Sequence, residues 1–226
     1  MPNSAPSSFH TLLRAVAGPF AVAFGLTVLL WLATGATLGL FFGGLFLAVL
    51  LIAFIALPET DLQTRLLRAA GVADAVGLVW LIAVLINGQL SIRQWLACYL
   101  ILLAVLLLQL GIAARFRRVR LTPLSSASAS LFVTLLWLTS PIWLLHHLQT
   151  PALLPVMHRL IAIHPLFAIN SAIPAVIWTE SPIAYRLMNL NQDVPYALPG
   201  SAIPCVLLHT VAGLILLAVG RTRRSR

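Results

Sequence analysis

The chain has 226 residues, of which 61% are hydrophobic and only 8% are charged, whereas soluble domains carry about 25% charged residues. That composition excludes a soluble globular protein, and the continuous apolar runs exclude a transmembrane barrel, whose strands alternate with a period of two. The net charge of +9 comes from 14 arginines that cluster between the apolar runs, a pattern typical of cytoplasmic membrane loops and not of nucleic-acid binding.

The apolar runs predict an all-α polytopic integral membrane protein that forms a single transmembrane domain over residues 1–226. We expect about six transmembrane helices, over residues 15–33, 37–56, 72–86, 95–114, 126–145 and 203–220. The arginine pattern predicts that residues 1–14 and the basic tail 221–226 are cytoplasmic. The absence of lysine favours a GC-rich bacterial genome, and we place the chain in the inner (plasma) membrane. Its basic segments are expected to contact anionic membrane lipids.

A short amphipathic connector, Pro58–Ala70, is predicted after the second span. Acids would lie in its first turn and arginines in its last turn, the arrangement that a helix dipole favours. Two interpretations stay open, a surface helix at the membrane interface and a docking helix for a cytoplasmic partner. The residues that would form the docking surface are Glu59, Asp61, Leu62, Arg65 and Leu66.

One acid and one histidine lie inside predicted spans, and each is a candidate functional group because ionisable side chains are costly there. Asp74 lies near the inner end of the third span, where a solvated acid is the favoured interpretation. His209 lies in the middle of the sixth span. We expect a buried neutral histidine that is hydrogen-bonded to a neighbouring helix carbonyl. The competing interpretation is a proton relay through Asp74, Glu180, Asp193 and His209.

The stretch before the last span is apolar but interrupted, because nine of the 14 prolines lie between Pro141 and Pro204. Proline breaks helices and disfavours helix in the preceding residue. Pieces of about ten residues rise only about 15 Å, half of a hydrocarbon core. We therefore predict two re-entrant helices, over residues 153–163 and 165–178, and a polar outer loop over 179–200. The whole of 146–200 would be extracytoplasmic.

The segment from Leu154 to Asn170 resembles a pattern in the membrane (permease) subunits of second-class ABC-type exporters. In that family a Leu-Pro pair precedes a short apolar helix, and an Asn-Pro-Leu step precedes a second one. This chain has Leu154-Pro155 and then His164-Pro165-Leu166, with histidine where the family more often has asparagine. The motif covers about 17 residues, and the plan of six spans with a re-entrant pair before the last is similar along the whole chain.

The resemblance implies a permease half that forms a homo- or heterodimer and is driven by a separate ATP-binding subunit. It also implies that Pro58–Ala70 acts as a coupling helix. No G-x-x-x-x-G-K-[ST] motif occurs in the sequence, so any ATP hydrolysis would come from the partner. No cofactor and no catalytic residue are predicted, and G-x-S-x-G and H-E-x-x-H motifs are absent.

Two other functions remain open at this stage. The chain could be a non-catalytic assembly or scaffold subunit of a membrane complex. It could also be a metal- or haem-handling protein that uses its clustered histidines with Met157 as a soft ligand. The spacing of those histidines is poor for a shared metal, so no metal site is predicted. The histidines concerned are His146, His147, His158 and His164.

Overall fold

The computed structural model describes residues 8–34, 37–59, 61–88, 90–144, 147, 150–173 and 198–221. Helices are the only regular structure in these ranges. They are α1 (Ser8–Thr34), α2 (Thr37–Leu51), α3 (Leu62–Asn87), α4 (Ile92–Arg118), α5 (Pro123–Leu138), α6 (Ser140–Trp143), α7 (Leu154–Ile163), α8 (Pro165–Ala172) and α9 (Ile203–Arg221). A π-helical turn, Ile52–Ala56, follows α2, and a 3-10 turn, Pro151–Leu153, precedes α7.

Four helices are long and apolar enough to cross a membrane, with 18 to 27 residues each. A hydrocarbon core of about 30 Å requires about 20 helical residues. The predicted helical class is confirmed for the described ranges, and these helices are those of a membrane-embedded protein. The spans are Ala15–Thr34, Gly39–Ala56, Leu62–Ile86 and Ile92–Arg118.

The apolar segments at the predicted fifth and sixth spans are shorter than the four candidate spans. The apolar segments there are Pro123–Leu138 and Ile203–Val219, and the 16 residues of α5 rise about 24 Å. The prediction that the fifth helix reaches Leu145 is wrong, because Pro141 has no N–H and disfavours helix before it. Four helices are therefore long enough to span a membrane. That the fifth and sixth segments also span it stays a prediction.

The connector Pro58–Ala70 is not a separate helix, which corrects the prediction. Asp61 is the N-cap of α3, and α3 continues without a break to Asn87. Arg65 and Arg68 therefore lie in the first two turns of a 26-residue helix and not in the last turn of a short one. Gly71 does not interrupt the helix. It lets α1 approach closely, since a Cβ there would lie 3.0 Å from the Val16 carbonyl oxygen.

Arginine side chains bind main-chain carbonyls where α2, α4 and α9 end and α3 begins. Arg68 donates to the Ile55 carbonyl at 3.1 Å, Arg117 donates to the Leu57 carbonyl, and Arg118 donates to the Val219 carbonyl. Carbonyls at helix C-termini lack partners in their own helix, and arginines commonly satisfy them. This contact network gathers the arginines of α3 and α4 at one end of the bundle.

The core is organised around α4, which packs against α3, α5, α8 and most extensively α9. A Cβ on Gly213 would lie 2.8 Å from the Leu107 carbonyl oxygen, and one on Gly111 would lie 2.7 Å from the Gly213 carbonyl oxygen. Small residues at such crossings allow helix backbones to approach closely. The α4–α9 contact therefore depends on both glycines.

We expect Gly213→Ala to lower the free energy of unfolding by about 1–3 kcal/mol, because the added methyl group overpacks the α4–α9 crossing. Thermal and denaturant unfolding in detergent would measure the change. Gly25→Ala is the matched control, since a Cβ at Gly25 meets nothing within 4 Å. Equal behaviour of the two variants would contradict the close approach.

Candidate functional site

The broken segment consists of two short helices that meet at His164. The first, Leu154–Ile163, begins one residue after its predicted start, and the second, Pro165–Ala172, begins where predicted. Pro165 is the first residue of α8, where its missing N–H costs nothing. The second helix ends at Ala172 and not at residue 178 as predicted. Residues 174–197, with most of the predicted outer loop, lie outside the described ranges.

The two short helices differ in how far they enter the bundle. All residues of α8 from Pro165 to Asn170 are buried, including Leu166, and α8 packs against α4 and α2. In α7, Met157 and Ile161 are buried, whereas Pro155 is exposed and Leu154 is half-buried. The segment thus packs into the helical bundle through α8 and does not form a loop that stands away from it.

A free carbonyl in α5 binds the histidine at this break. Pro141 has no N–H, so the Trp137 carbonyl four residues earlier lacks its helical partner. His164 Nε2 lies 3.0 Å from that oxygen, and the Leu166 N–H donates to His164 Nδ1 at 3.2 Å. A carbonyl can only accept, so Nε2 carries the hydrogen and the ring is neutral. His164 therefore caps the start of α8 and also donates a hydrogen bond to the Trp137 carbonyl of α5.

The same tryptophan binds the second buried histidine through its side chain. The Trp137 indole N–H donates to His209 Nε2 at 2.9 Å, and His209 Nδ1 donates to the Cys205 carbonyl at 2.7 Å. The His209 ring is therefore neutral as well. The sequence-based expectation of a buried, hydrogen-bonded histidine is met, but the carbonyl belongs to its own helix, and the neighbouring helix contributes an indole.

Together these residues form a histidine–tryptophan cluster of Trp137, His164 and His209. The ring centroids of His164 and His209 lie 5.0 Å and 6.0 Å from that of Trp137. All four histidine ring nitrogens take part in hydrogen bonds, so none offers a lone pair to a metal. The cluster joins α5, the start of α8 and α9, and its arrangement is structural.

Three of the four histidines considered as metal ligands are described, and they differ in exposure. His164 is buried, whereas the side chains of His147 and His158 are exposed. His146 lies outside the described residues. Within the described part of the chain, no group of three or more histidine, cysteine or acidic residues could hold a metal ion. The metal interpretation gains no support from this arrangement.

The candidate docking residues gather where α3 begins. Asp61 Oδ2 accepts from the Thr64 main-chain N–H at 2.7 Å, and Glu59 forms an ion pair with Arg68 at 2.6 Å. Arg65, which is 8% exposed, donates to the Asp61 carbonyl at 3.4 Å. These contacts hold the polar groups against the start of the helix.

Two leucines complete this end of α3. Leu62 is half-buried and Leu66 is 39% exposed. An exposed leucine beside an ion pair at a helix end is a surface that a partner could cover.

Asp74 lies much deeper in its helix than the sequence predicted. Because α3 begins at Leu62, Asp74 is 12 residues from each end of the candidate span Leu62–Ile86, or about 18 Å at 1.5 Å per residue. Its side chain is exposed, and the Tyr99 hydroxyl donates to Oδ1 at 2.5 Å. An acid at the centre of a membrane helix costs about 2.5–3.5 kcal/mol on insertion scales. The interpretation of Asp74 as a solvated acid near the interface stays a prediction, because length and composition alone assign this span.

Sequence reasoning did not single out Trp137 or Tyr99. The available signal was chemical, because an indole N–H or a phenol O–H within an apolar helix requires an acceptor. It also missed Gln109, which is fully buried. The Gln109 side-chain Nε2 donates to the Val49 carbonyl at 2.9 Å, and the Gln109 main-chain carbonyl accepts from Ser130 Oγ at 2.7 Å.

Comparison of the chain with protein-family models, with curated proteins and with solved structures found no match. The functional argument therefore depends on the residues of this chain alone.

We expect Trp137→Phe to lower the free energy of unfolding by about 1–3 kcal/mol, because His209 Nε2 would remain buried without a donor. A double-mutant cycle with His209→Leu isolates the hydrogen bond from the lost ring volume, and we expect a coupling of about 0.5–3 kcal/mol. Trp143→Phe is the control, since Trp143 is 43% exposed. Additive effects of the two cluster substitutions would contradict the pairing.

The cap that Asp61 forms on α3 predicts how the stability of the protein changes at acid pH. The hydrogen bond from the Thr64 main-chain N–H lowers the pKa of Asp61 below its ordinary value. A depressed folded-state pKa adds stability above about pH 4, and this contribution is lost as the pH falls through the folded pKa. Asparagine also caps helices but does not titrate, so Asp61→Asn should lose less stability than the natural chain on acidification. Unfolding curves from pH 6 to about pH 2 would measure this difference, and parallel pH profiles would refute it.

Proposed function

We propose that this chain is the permease-type subunit of a dimeric ABC exporter of the second class, driven by a separate ATP-binding subunit. The observation that carries the proposal is the helix–break–helix segment between α5 and α9. Its break falls at His164-Pro165, the position of the step in the motif that the sequence resembles, and α8 is buried against α4. Such a segment would close the outer side of a pathway between two protomers.

The orientation of the helices supports a docking end for the ATPase. A Cβ on Gly39 would lie 3.5 Å from Thr34, and one on Gly43 would lie 2.7 Å from Leu30, so α1 and α2 run antiparallel. The arginine-rich end then holds the end of α2, the starts of α1 and α3, and the ends of α4 and α9. In the proposal this end faces the cytoplasm, as arginine-rich loops do, with both termini on that side.

Helix α3 would transmit the movement of the ATPase into the membrane. It is 26 residues long, about 39 Å at 1.5 Å per residue. It begins at the proposed docking surface and packs against α1, α2 and α4. A push on Leu62 and Leu66 would therefore move one rigid helix past three neighbours.

The chain itself needs no chemistry in this proposal. The two buried histidines of the cluster are neutral and use their ring nitrogens in structural hydrogen bonds. The cluster would keep α5, α8 and α9 moving as one unit. ATP hydrolysis belongs to the partner, and no cofactor is required.

The test is purification in mild detergent followed by mass spectrometry of the proteins that stay bound. We expect a stoichiometric protein with a phosphate-binding P-loop. Its absence, with other membrane subunits bound instead, would favour the scaffold function. A bound metal or chromophore would favour the metal- or haem-handling function.

The docking surface has its own test, the double variant Leu62→Asp and Leu66→Asp. We expect it to lose the ATPase because charged groups replace the apolar contact, and we expect its melting temperature in detergent to change little. Leu85→Asp is the matched control, since Leu85 is 68% exposed near the opposite end of the same helix. Unchanged co-purification with the double variant would exclude this surface as the docking site.

A further inference from the structure

One face of α3 points away from the protein interior and carries a single acid among apolar residues. The exposed positions are four residues apart, at Leu66, Ala70, Asp74 and Leu78. Residues at this spacing lie on one side of a helix. Asp74 is six residues past Arg68 in the sequence, about 9 Å further into the bundle. A carboxyl group therefore lies on the exposed face of a helix that is long and apolar enough to cross a membrane.

One aromatic residue, Tyr99, binds this carboxyl group, and a second, Trp95, packs against the first. Tyr99 lies directly on the α3 backbone, since a Cβ on Gly77 would be 2.5 Å from its ring. Its hydroxyl donates to Asp74 Oδ1 at 2.5 Å. Trp95 stacks on Tyr99 with centroids 5.5 Å apart and donates to the Gly77 carbonyl at 2.9 Å. Among the described residues, none donates to the other carboxylate oxygen, Oδ2.

An apolar groove between α3 and α4 lies beside the carboxyl group. Its volume is about 250 Å³, and residues of both helices line it, including Ala70, Ala73, Leu103 and Leu107. Ala70 is one helical turn before Asp74, and Leu103 is one turn after Tyr99. The groove thus has apolar walls and ends about one helical turn from Asp74 and Tyr99, which lie just outside its lining.

We propose that this groove binds a lipophilic cation that enters sideways from the bilayer. The apolar body would lie between Ala70 and Leu103, and the positive charge would lie against Asp74. A low dielectric strengthens that charge pair, and aromatic faces attract cations. Such a ligand matches both the charge and the apolar surface that the groove presents. The site does not depend on an ATPase partner, and if the exporter function also holds, it supplies the class of substrate.

The test uses the purified chain in lipid nanodiscs, without any partner, and tetraphenylphosphonium as the probe. We expect saturable binding of the cation and no comparable binding of tetraphenylborate, an anion of the same shape. Asp74→Asn should weaken binding at least about tenfold, a loss of 1.4 kcal/mol, because the opposite charge is gone. Leu103→Trp should weaken it by a similar factor because it fills the groove. Leu78→Ala is the control, since Leu78 does not line the groove.

Two results would overturn the proposal. One is equal binding of the cation by the natural chain and by Asp74→Asn, or equal binding of the anion. The other is no cation binding by the natural chain together with a change of oligomeric mass in Asp74→Asn, which would assign this face to a contact between copies. Elution and melting temperature show that each variant is folded. Co-purification of an ATPase is measured separately, so either proposal can fail alone.

Discussion

The main-chain carbonyl of Trp137 is the constraint on which the second half of the bundle depends. Pro141 cannot donate to it, and an unpaired carbonyl within an apolar bundle is costly. His164 donates to this oxygen at 3.0 Å, which leaves Nδ1 as the acceptor that caps α8. The His164 ring therefore forms hydrogen bonds with both the end of α5 and the start of α8. Because α8 is held in this way, it packs against α4 as part of the core.

The polar groups of this protein divide into two kinds according to how their hydrogen bonds are used. Inside the bundle, Trp137, His164, His209 and Gln109 pair with carbonyls and with one another, so they stabilise helix contacts without carrying charge. Such bonds are valuable between membrane helices, where apolar surface alone does not favour helix over lipid. Asp74 differs, because one of its oxygens faces outward and its helix surface is otherwise apolar. The acid on the exposed face of α3 is thus separate from the histidine cluster.

Helix α3 connects the two proposed functional regions. Its first two turns carry the exposed Leu66 and Arg68, which pairs with Glu59 just before the helix, and its middle carries Asp74 near the apolar groove. No break separates them, since the helix runs from Leu62 to Asn87. A displacement at the arginine-rich end would therefore change the relation of Asp74 to Tyr99 on α4. Ligand binding in the groove and docking at the helix start would then be coupled through one rigid element.

Composition and proline placement, read from the sequence alone, determined the helical membrane class, the end of α7 and the starts of α8 and α9. These features are local, because proline favours the first position of a helix and ends the helix before it regardless of tertiary contacts. Only the tertiary structure decided that α3 is continuous and that Trp137 meets residues 27 and 72 positions away. In a membrane helix, lipid-facing and core-facing residues are equally apolar, so hydropathy carries little information about which faces meet. The hydrogen-bond partners of Asp74, His164 and His209 depend on which helix faces pack together, and no local sequence pattern specifies that packing.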